Sequence, residues 1–299
     1  MLRRLLKYLY TMLVSVKTYL SAPPDIAPKW RNAIELQFSE VLNLQNNTGI
    51  KPEQQVHELR KAVKRIRALL RASKLLFLPK VYEDLDELLA EAARELTFHR
   101  ESVVNRDTFT RLCKKLGEEC PDELMKKVHG VLLIEIHNLY TENKKSTGRK
   151  LDESFQLLQQ AAFGIHSCSM QSMSQKYMDN QLQKSYLKAL RLFNDAYHTL
   201  DPEVIHSWRK VVKNLLFQLK FSPHSFALSQ QTLDLYDRLT DTLGNEHDLF
   251  VLEEYIVKNA ELSQAELSQV HKWIFRERNQ LQREAFAQGR IIFEEPSLV

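Results

Sequence analysis

Apolar residues recur at three- and four-residue spacing along almost the whole chain, the period of a helix that buries one face. The pattern predicts helices over Trp30 to about Gln45 and over Gln54 to Leu78, where Pro79 stops the second. Further helices are expected at about 82–95, 101–116, 122–140, 151–163, 174–199, 203–221, 227–242, 248–260 and 264–288. Strand alternation is nearly absent. The stretch ENKKSTGRK (142–150), polar and central, is expected to be a loop dividing the chain into halves at about 28–150 and 151–299.

Composition agrees with long helices and few connections. Gly and Pro together number 16 of 299 residues, roughly 5% where about 12% is usual. With 43% hydrophobic residues the chain can bury a sizeable core, which excludes a disordered tail or a disulfide mini-protein. Cys113, Cys120 and Cys168 form neither a CxxC pair nor an even framework, so reduced thiols and a cytoplasmic setting are expected. No apolar run reaches the roughly eighteen residues of a membrane span. At the amino terminus Arg3, Arg4 and Lys7 precede a short apolar stretch that Lys17 interrupts, and no A-x-A site follows. Residues 1–27 therefore read as an amphipathic segment that packs on the domain or rests on a lipid or granule surface, rather than as a signal peptide.

The net charge of +4 conceals a concentration of cations. Residues 54–77 hold seven Lys/Arg and one acid, and residues 205–220 hold four and none, leaving the remaining chain at −6. These two segments are also copies of each other. VHELRKAVKRIRALLR (56–71) and IHSWRKVVKNLLFQLK (205–220) align without a gap, with six identities in sixteen positions. His57 pairs with His206, Arg60 with Arg209, Lys61 with Lys210, and Lys64 with Lys213. At about 100° per residue, His57, Arg60, Lys61, Lys64 and Arg71 share one side of a helix, opposite Leu59, Ile66, Leu69 and Leu70. His206, Arg209, Lys210, Lys213 and Lys220 do the same opposite Trp208, Val211, Leu215 and Leu219. Like charges at this spacing destabilise a helix by a few tenths of a kcal/mol per pair, and the helices carry almost no acids of their own. An external polyanion is expected to compensate them.

At these residues the chain resembles the CHAD family, the conserved histidine α-helical domain, whose signature helices read HxLRxxxRRxR and HxWRKxxKxLxxxL. Here they are His57-Glu58-Leu59-Arg60-Lys61-Ala62-Val63-Lys64-Arg65-Ile66-Arg67 and His206-Ser207-Trp208-Arg209-Lys210-Val211-Val212-Lys213. AARELTFHRESVV (92–104), QKSYLKALR (183–191), LGNEHDLFVL (243–252) and LQREAFAQGRIIFEEP (281–296) are similar to further family segments in the expected order, over about 28–299. The resemblance implies an all-α fold of two similar helical bundles, related by a pseudo-twofold axis around a central basic channel that binds inorganic polyphosphate. By position, it implies a binding set of His57, Arg60, Lys61, Lys64, Arg67 and Arg71 from the first half. The second half supplies His206, Arg209, Lys210, Lys213 and Lys220, with Arg94, Arg100, Lys188, Arg191, His247 and Arg290 flanking. Asn214 and Leu216 stand where the first copy has Arg65 and Arg67, and Glu101 stands where the family has Asp, so the second half is expected to be the weaker anion surface.

Catalytic readings have less support. His247-Asp248 resembles a metal-binding dipeptide, but no Asp follows it, and Asp248 reads instead as a helix N-cap or first-turn acid. Phosphate-cradling and nucleophile-elbow motifs are absent, and Trp30, Trp208 and Trp273 sit at apolar helical positions. No cofactor or metal is implied. The expectation is a non-enzymatic polyphosphate-binding module at polyphosphate granules. The alternatives are a structured-RNA or tRNA binder and a subunit, accessory or catalytic, of polyphosphate metabolism. Because free histidine titrates near 6.5 and His57 and His206 each head a cationic stripe, binding is expected to strengthen as pH falls through roughly 6 to 7.

Overall fold

The computed structural model describes residues 25–294, apart from 46, 48, 51, 96 and 224–228; the side chains at 52, 53, 97–101 and 137–147 also lie outside the description. The segment expected at 1–27 therefore falls outside it up to Pro24, while Ile26 and Ala27 are already core residues. Among the described residues the fold is all-α, with nine α-helices and no strand. They are α1 (Ala27–Leu42), α2 (Pro52–Ala72), α3 (Pro79–Arg94), α4 (Thr97–Leu116), α5 (Asp122–Ser167), α6 (Gln175–Thr199), α7 (Pro202–Phe221), α8 (Gln230–Asn259) and α9 (Gln264–Phe293). Short 3₁₀ turns sit at Lys74–Leu76 and Gly117–Glu119.

Two expected breaks are absent. The stretch 142–150 lies inside the single 46-residue helix α5. It holds one glycine and no proline, and a lone glycine costs a helix only about 1 kcal/mol. The flanking turns are buried in different cores, with Leu132 on one side and Leu151, Phe155 and Leu158 on the other, and this packing carries the helix across the polar middle. Residues 243–247 likewise continue α8 through Gly244, so Asp248 lies mid-helix rather than at a helix start, and Ser229 is the N-cap.

Three apolar clusters organise the helices. The first gathers α1, α2, α3 and the C-terminal half of α5 around Trp30, Ile34, Leu59, Ile66 and Phe155. A second gathers α6, α7, the N-terminal part of α8 and the end of α9 around Phe193, Trp208 and Phe286. The third joins the halves through α4, the start of α5, the end of α8 and the start of α9, with Phe109, Leu132, Leu252 and Trp273. Each fully buried large side chain contributes about 1.5–3 kcal/mol, and Trp30 and Trp208 are wholly inaccessible.

Local chemistry sets where the second basic helix begins. Leu200 ends α6 in the left-handed region at φ 53°. Asp201 then caps α7 by accepting from the Glu203 amide, and Pro202 occupies the first turn, where its missing N–H costs nothing. The chain thereby reverses within a few residues, and α7 packs back along α6.

Candidate functional site

α2 and α7 pack directly on each other and cross antiparallel. Arg71 of α2 donates to Asn214 Oδ1 of α7 at 3.2 Å, Gln218 Nε2 donates to the Ala68 carbonyl at 3.3 Å, and the Arg65 guanidinium lies 5.3 Å from the Phe221 ring centre. Each step toward one helix's C-terminus is thus a step toward the other's N-terminus. The apolar sides of both helices are buried as expected, with Leu59, Ile66, Leu69 and Leu70 on α2 and Trp208, Leu215 and Leu219 on α7. Burial lowers the Lys213 ammonium, and Arg209 and then Lys61, across the crossing, add to this against Asp241 and Asp237.

The stripes do not stand clear of other elements. Each runs along the helix that follows it. On α2, Arg67 makes a forked contact with Asp86 of α3, Nε to Oδ1 at 2.8 Å and Nη2 to Oδ2 at 2.9 Å. Arg60 Nη1 donates to the Ala93 carbonyl at 2.7 Å. On α7, Lys220 pairs with Asp237 of α8, Lys213 Nζ donates to Thr240 Oγ1 at 3.3 Å, and Arg209 lies beside Gly244. The ladder ends where His206 stacks on His247, with ring centres 4.1 Å apart at 27°. Asp86 and Asp237 thus relieve part of the stripes' charge from the next helix, beside the external polyanion expected to compensate the rest. Their contribution is invisible along α2 or α7 because it arises only when separate helices pack.

Exposure separates the remaining cations. Lys64 and Lys210 are exposed, as are Lys188 and Arg191 on α6. Lys61 lies 3.6 Å from Glu58 and half-exposed His57 lies 3.9 Å from the same carboxylate. Arg94, at the end of α3, reaches Glu87 at 2.6 Å. Arg290 of α9 is held at Tyr197 of α6, with its guanidinium 4.9 Å from the ring centre. Arg100 lies on α4, its side chain outside the description.

The histidine pair occupies a constrained environment. Burial pushes the His247 imidazole down to about 3, helped by Arg209, His206, Lys210 and Arg278. His206 is lowered by burial, then by Lys210 and Arg209, against the opposing carboxylates Glu203 and Glu246. Behind His247, Phe250 carries the Arg278 guanidinium 4.9 Å from its ring centre. Arg278 in turn donates from Nε and Nη2 to buried Glu246 Oε1 at 3.0 and 2.8 Å. Among the described residues no group of three or more His, Cys, Asp or Glu is placed to hold a metal ion, and no helix is long and apolar enough to cross a membrane.

Sequence reasoning missed Asp237, Thr240, Asp241 and Gly244, which form the α8 side of the ladder. Their spacing of three, one and three residues places them on one helical face, and that spacing was the available signal.

The model of the CHAD domain family matches residues 32–257. The chain belongs to the CHAD-domain family. Among solved structures it is similar to PptA from Streptomyces chartreusis, at a TM-score of 0.65 and 13% identity, over 89% of this chain and 99% of that one. This likeness is one of fold. No curated protein matches the chain.

Proposed function

We propose that the protein binds inorganic polyphosphate, without turning it over, along the region where α2 and α7 cross. The observation that carries this reading is the crossing itself: two copies of one basic helix, far apart in sequence, meet antiparallel, with Arg71 on Asn214 and Gln218 on the Ala68 carbonyl. In this reading a pseudo-twofold axis passes near Ala68 and Gln218, and His57, Arg60, Lys61, Lys64, Arg67, Arg71, His206, Arg209, Lys210, Lys213 and Lys220 line a central channel. Arginine forks would grip phosphate oxygens, and lysines would act as mobile point charges. The setting is the cytoplasm, at polyphosphate granules.

Polyphosphates of graded length, titrated into the full chain at several salt concentrations, test the reading. Affinity is expected to rise with length until the channel is spanned and to fall steeply with salt, because each neutralised phosphate releases counterions. Equal affinity for orthophosphate and long chains overturns it, and tighter binding of structured RNA favours that ligand instead. The exposed pair Lys64→Glu and Lys210→Glu is expected to lower affinity at least tenfold with the helical signal unchanged. Arg60 is a poorer site for reversal, since its loss removes the hydrogen bond to the Ala93 carbonyl of α3.

A further inference from the structure

We propose that Asp237 and Asp241 of α8 compete with the ligand for the cations of α7, so that the second stripe is held at reduced affinity by carboxylates built into its own wall. The inference rests on the polyanion reading above and adds the residues that set its strength.

Asp237 and Asp86 occupy matching places, each seven residues beyond the first residue of its helix, Gln230 and Pro79 respectively. Asp86 faces Arg67 and is engaged in a fork. The α7 counterpart of Arg67 is Leu216, which is fully buried and offers no charge. Asp237 therefore reaches one turn further along α7, to Lys220, whose counterpart Arg71 in the first half is left to contact the neutral Asn214. One turn along α8, exposed Asp241 follows Thr240, the acceptor for Lys213. The position matching Asp241, counted from the helix start, is Ala90. The second basic helix thus carries two cations fewer than the first, and Asp237 and Asp241 stand beside it on α8. Both lie along the lysines a polyanion would have to engage, and a phosphate chain can take Lys220 only by displacing Asp237. Asp241 lies close enough to Lys213 to favour its charged form and would repel an approaching phosphate.

The test compares long-chain polyphosphate binding by the full-length wild type, Asp237→Asn, Asp241→Asn and the double variant across a salt series. An exposed or half-exposed ion pair supports about a two- to fivefold tightening per carboxylate removed. The logarithmic salt dependence of the double variant is also expected to steepen, because the ligand then displaces salt anions rather than a tethered carboxylate. Glu123→Gln, an equal change of charge at the exposed start of α5, serves as the control. If Glu123→Gln tightens binding as much, net charge alone is responsible and the proposal fails. If the wild type binds and the Asp variants are unchanged, the competition is overturned while the polyphosphate reading stands. If the wild type does not bind, both fall. Asp241→Asn leaves the Lys220 ion pair intact, so it keeps the test decisive should Asp237→Asn disturb folding.

Discussion

The two halves place the same basic helix against the same kind of partner and support it with different interiors. Around α2 the core is largely aliphatic, with Ile34, Leu59, Ile66, Leu69 and Leu158 filling the space beside Trp30 and Phe155. Around α7 it is aromatic: Phe193 lies 5.5 Å from Trp208, Trp208 stacks on Phe286 at 5.7 Å and 5°, and Phe293 closes the group. The charged sides differ as well. The first half locks one arginine in a fork with Asp86, whereas the second stacks two histidines and ties its last lysine to Asp237. A repeated surface therefore does not require a repeated core. What the halves hold in common is the direction of the stripe along the following helix.

The difference in cores has its largest expected consequence at two glycines. A Cβ on Gly289 of α9 would stand 2.8 Å from two Phe193 ring atoms and 3.1 Å from Trp208. A Cβ on Gly164 of α5 would meet only the tip of Leu85, at 3.0 Å. Interlocked rings have no rotamer to retreat into, while a leucine methyl turns aside. Gly289→Ala is expected to cost about 2–3 kcal/mol and Gly164→Ala under about 1 kcal/mol, offset in both by the helix propensity gained. Thermal or urea unfolding of the two variants measures the gap; equal losses would mean that the aromatic cluster yields as easily as the aliphatic one.

The second consequence concerns charge. Arg67→Leu gives the first stripe the residue the second has at Leu216. Asp86 then becomes available to Arg71, as Asp237 is to Lys220. Stability is expected to change by no more than about 1 kcal/mol, since one partly exposed ion pair replaces another. Polyphosphate affinity is expected to fall severalfold, because one cation is deleted and a second is drawn to a carboxylate. Unchanged affinity would show that Arg67 and Arg71 lie off the ligand's path.

Much of this was legible in the sequence. The gapless repeat, the apolar faces of α2 and α7 and the burial of all three tryptophans follow from periodicity, because a helix's own spacing decides which side it buries. Continuity through 142–150 and 243–247 was not legible. Polar residues and a glycine lower helix propensity by a few tenths to about 1 kcal/mol per site, and burial of the flanking turns in two separate cores outweighs that. The acids opposite the stripes were hidden for a related reason: Asp86 and Asp237 are close to Arg67 and Lys220 only after α3 and α8 fold back. Likewise, the stacking of His247 on His206 arises only when α8 packs along α7.

The smallest expected effect is on pH dependence, through His206 and His247. Both imidazoles are lowered in the free protein, His247 to about 3, so between that value and the unfolded 6.5 the unfolded chain binds more protons than the folded one. Stability is therefore expected to fall as pH drops through this range, by less than the ~1.4 kcal/mol per pH unit of one full proton, because the rings are only partly buried. A polyanion at Arg209 and Lys210 cancels the part of the depression that those cations cause and raises both imidazoles, so binding takes up protons. Affinity then increases as pH falls between the bound and free values, which places the share of the rise due to His206 and His247 below about 6.5. Burial, the largest cause for both rings, is not relieved by a ligand that displaces water. The gain is accordingly modest, less than tenfold between pH 7 and pH 5. His206→Gln with His247→Gln removes both titrations and the stacked pair, at about 0.5–1.5 kcal/mol for the lost stack. Affinity and unfolding free energy measured from pH 5 to pH 8 for the wild type and this double variant separate the two contributions. A flattened stability profile with an unaltered affinity profile would assign the histidines to packing α7 against α8; flattening of both would place them within the field of the bound polyanion.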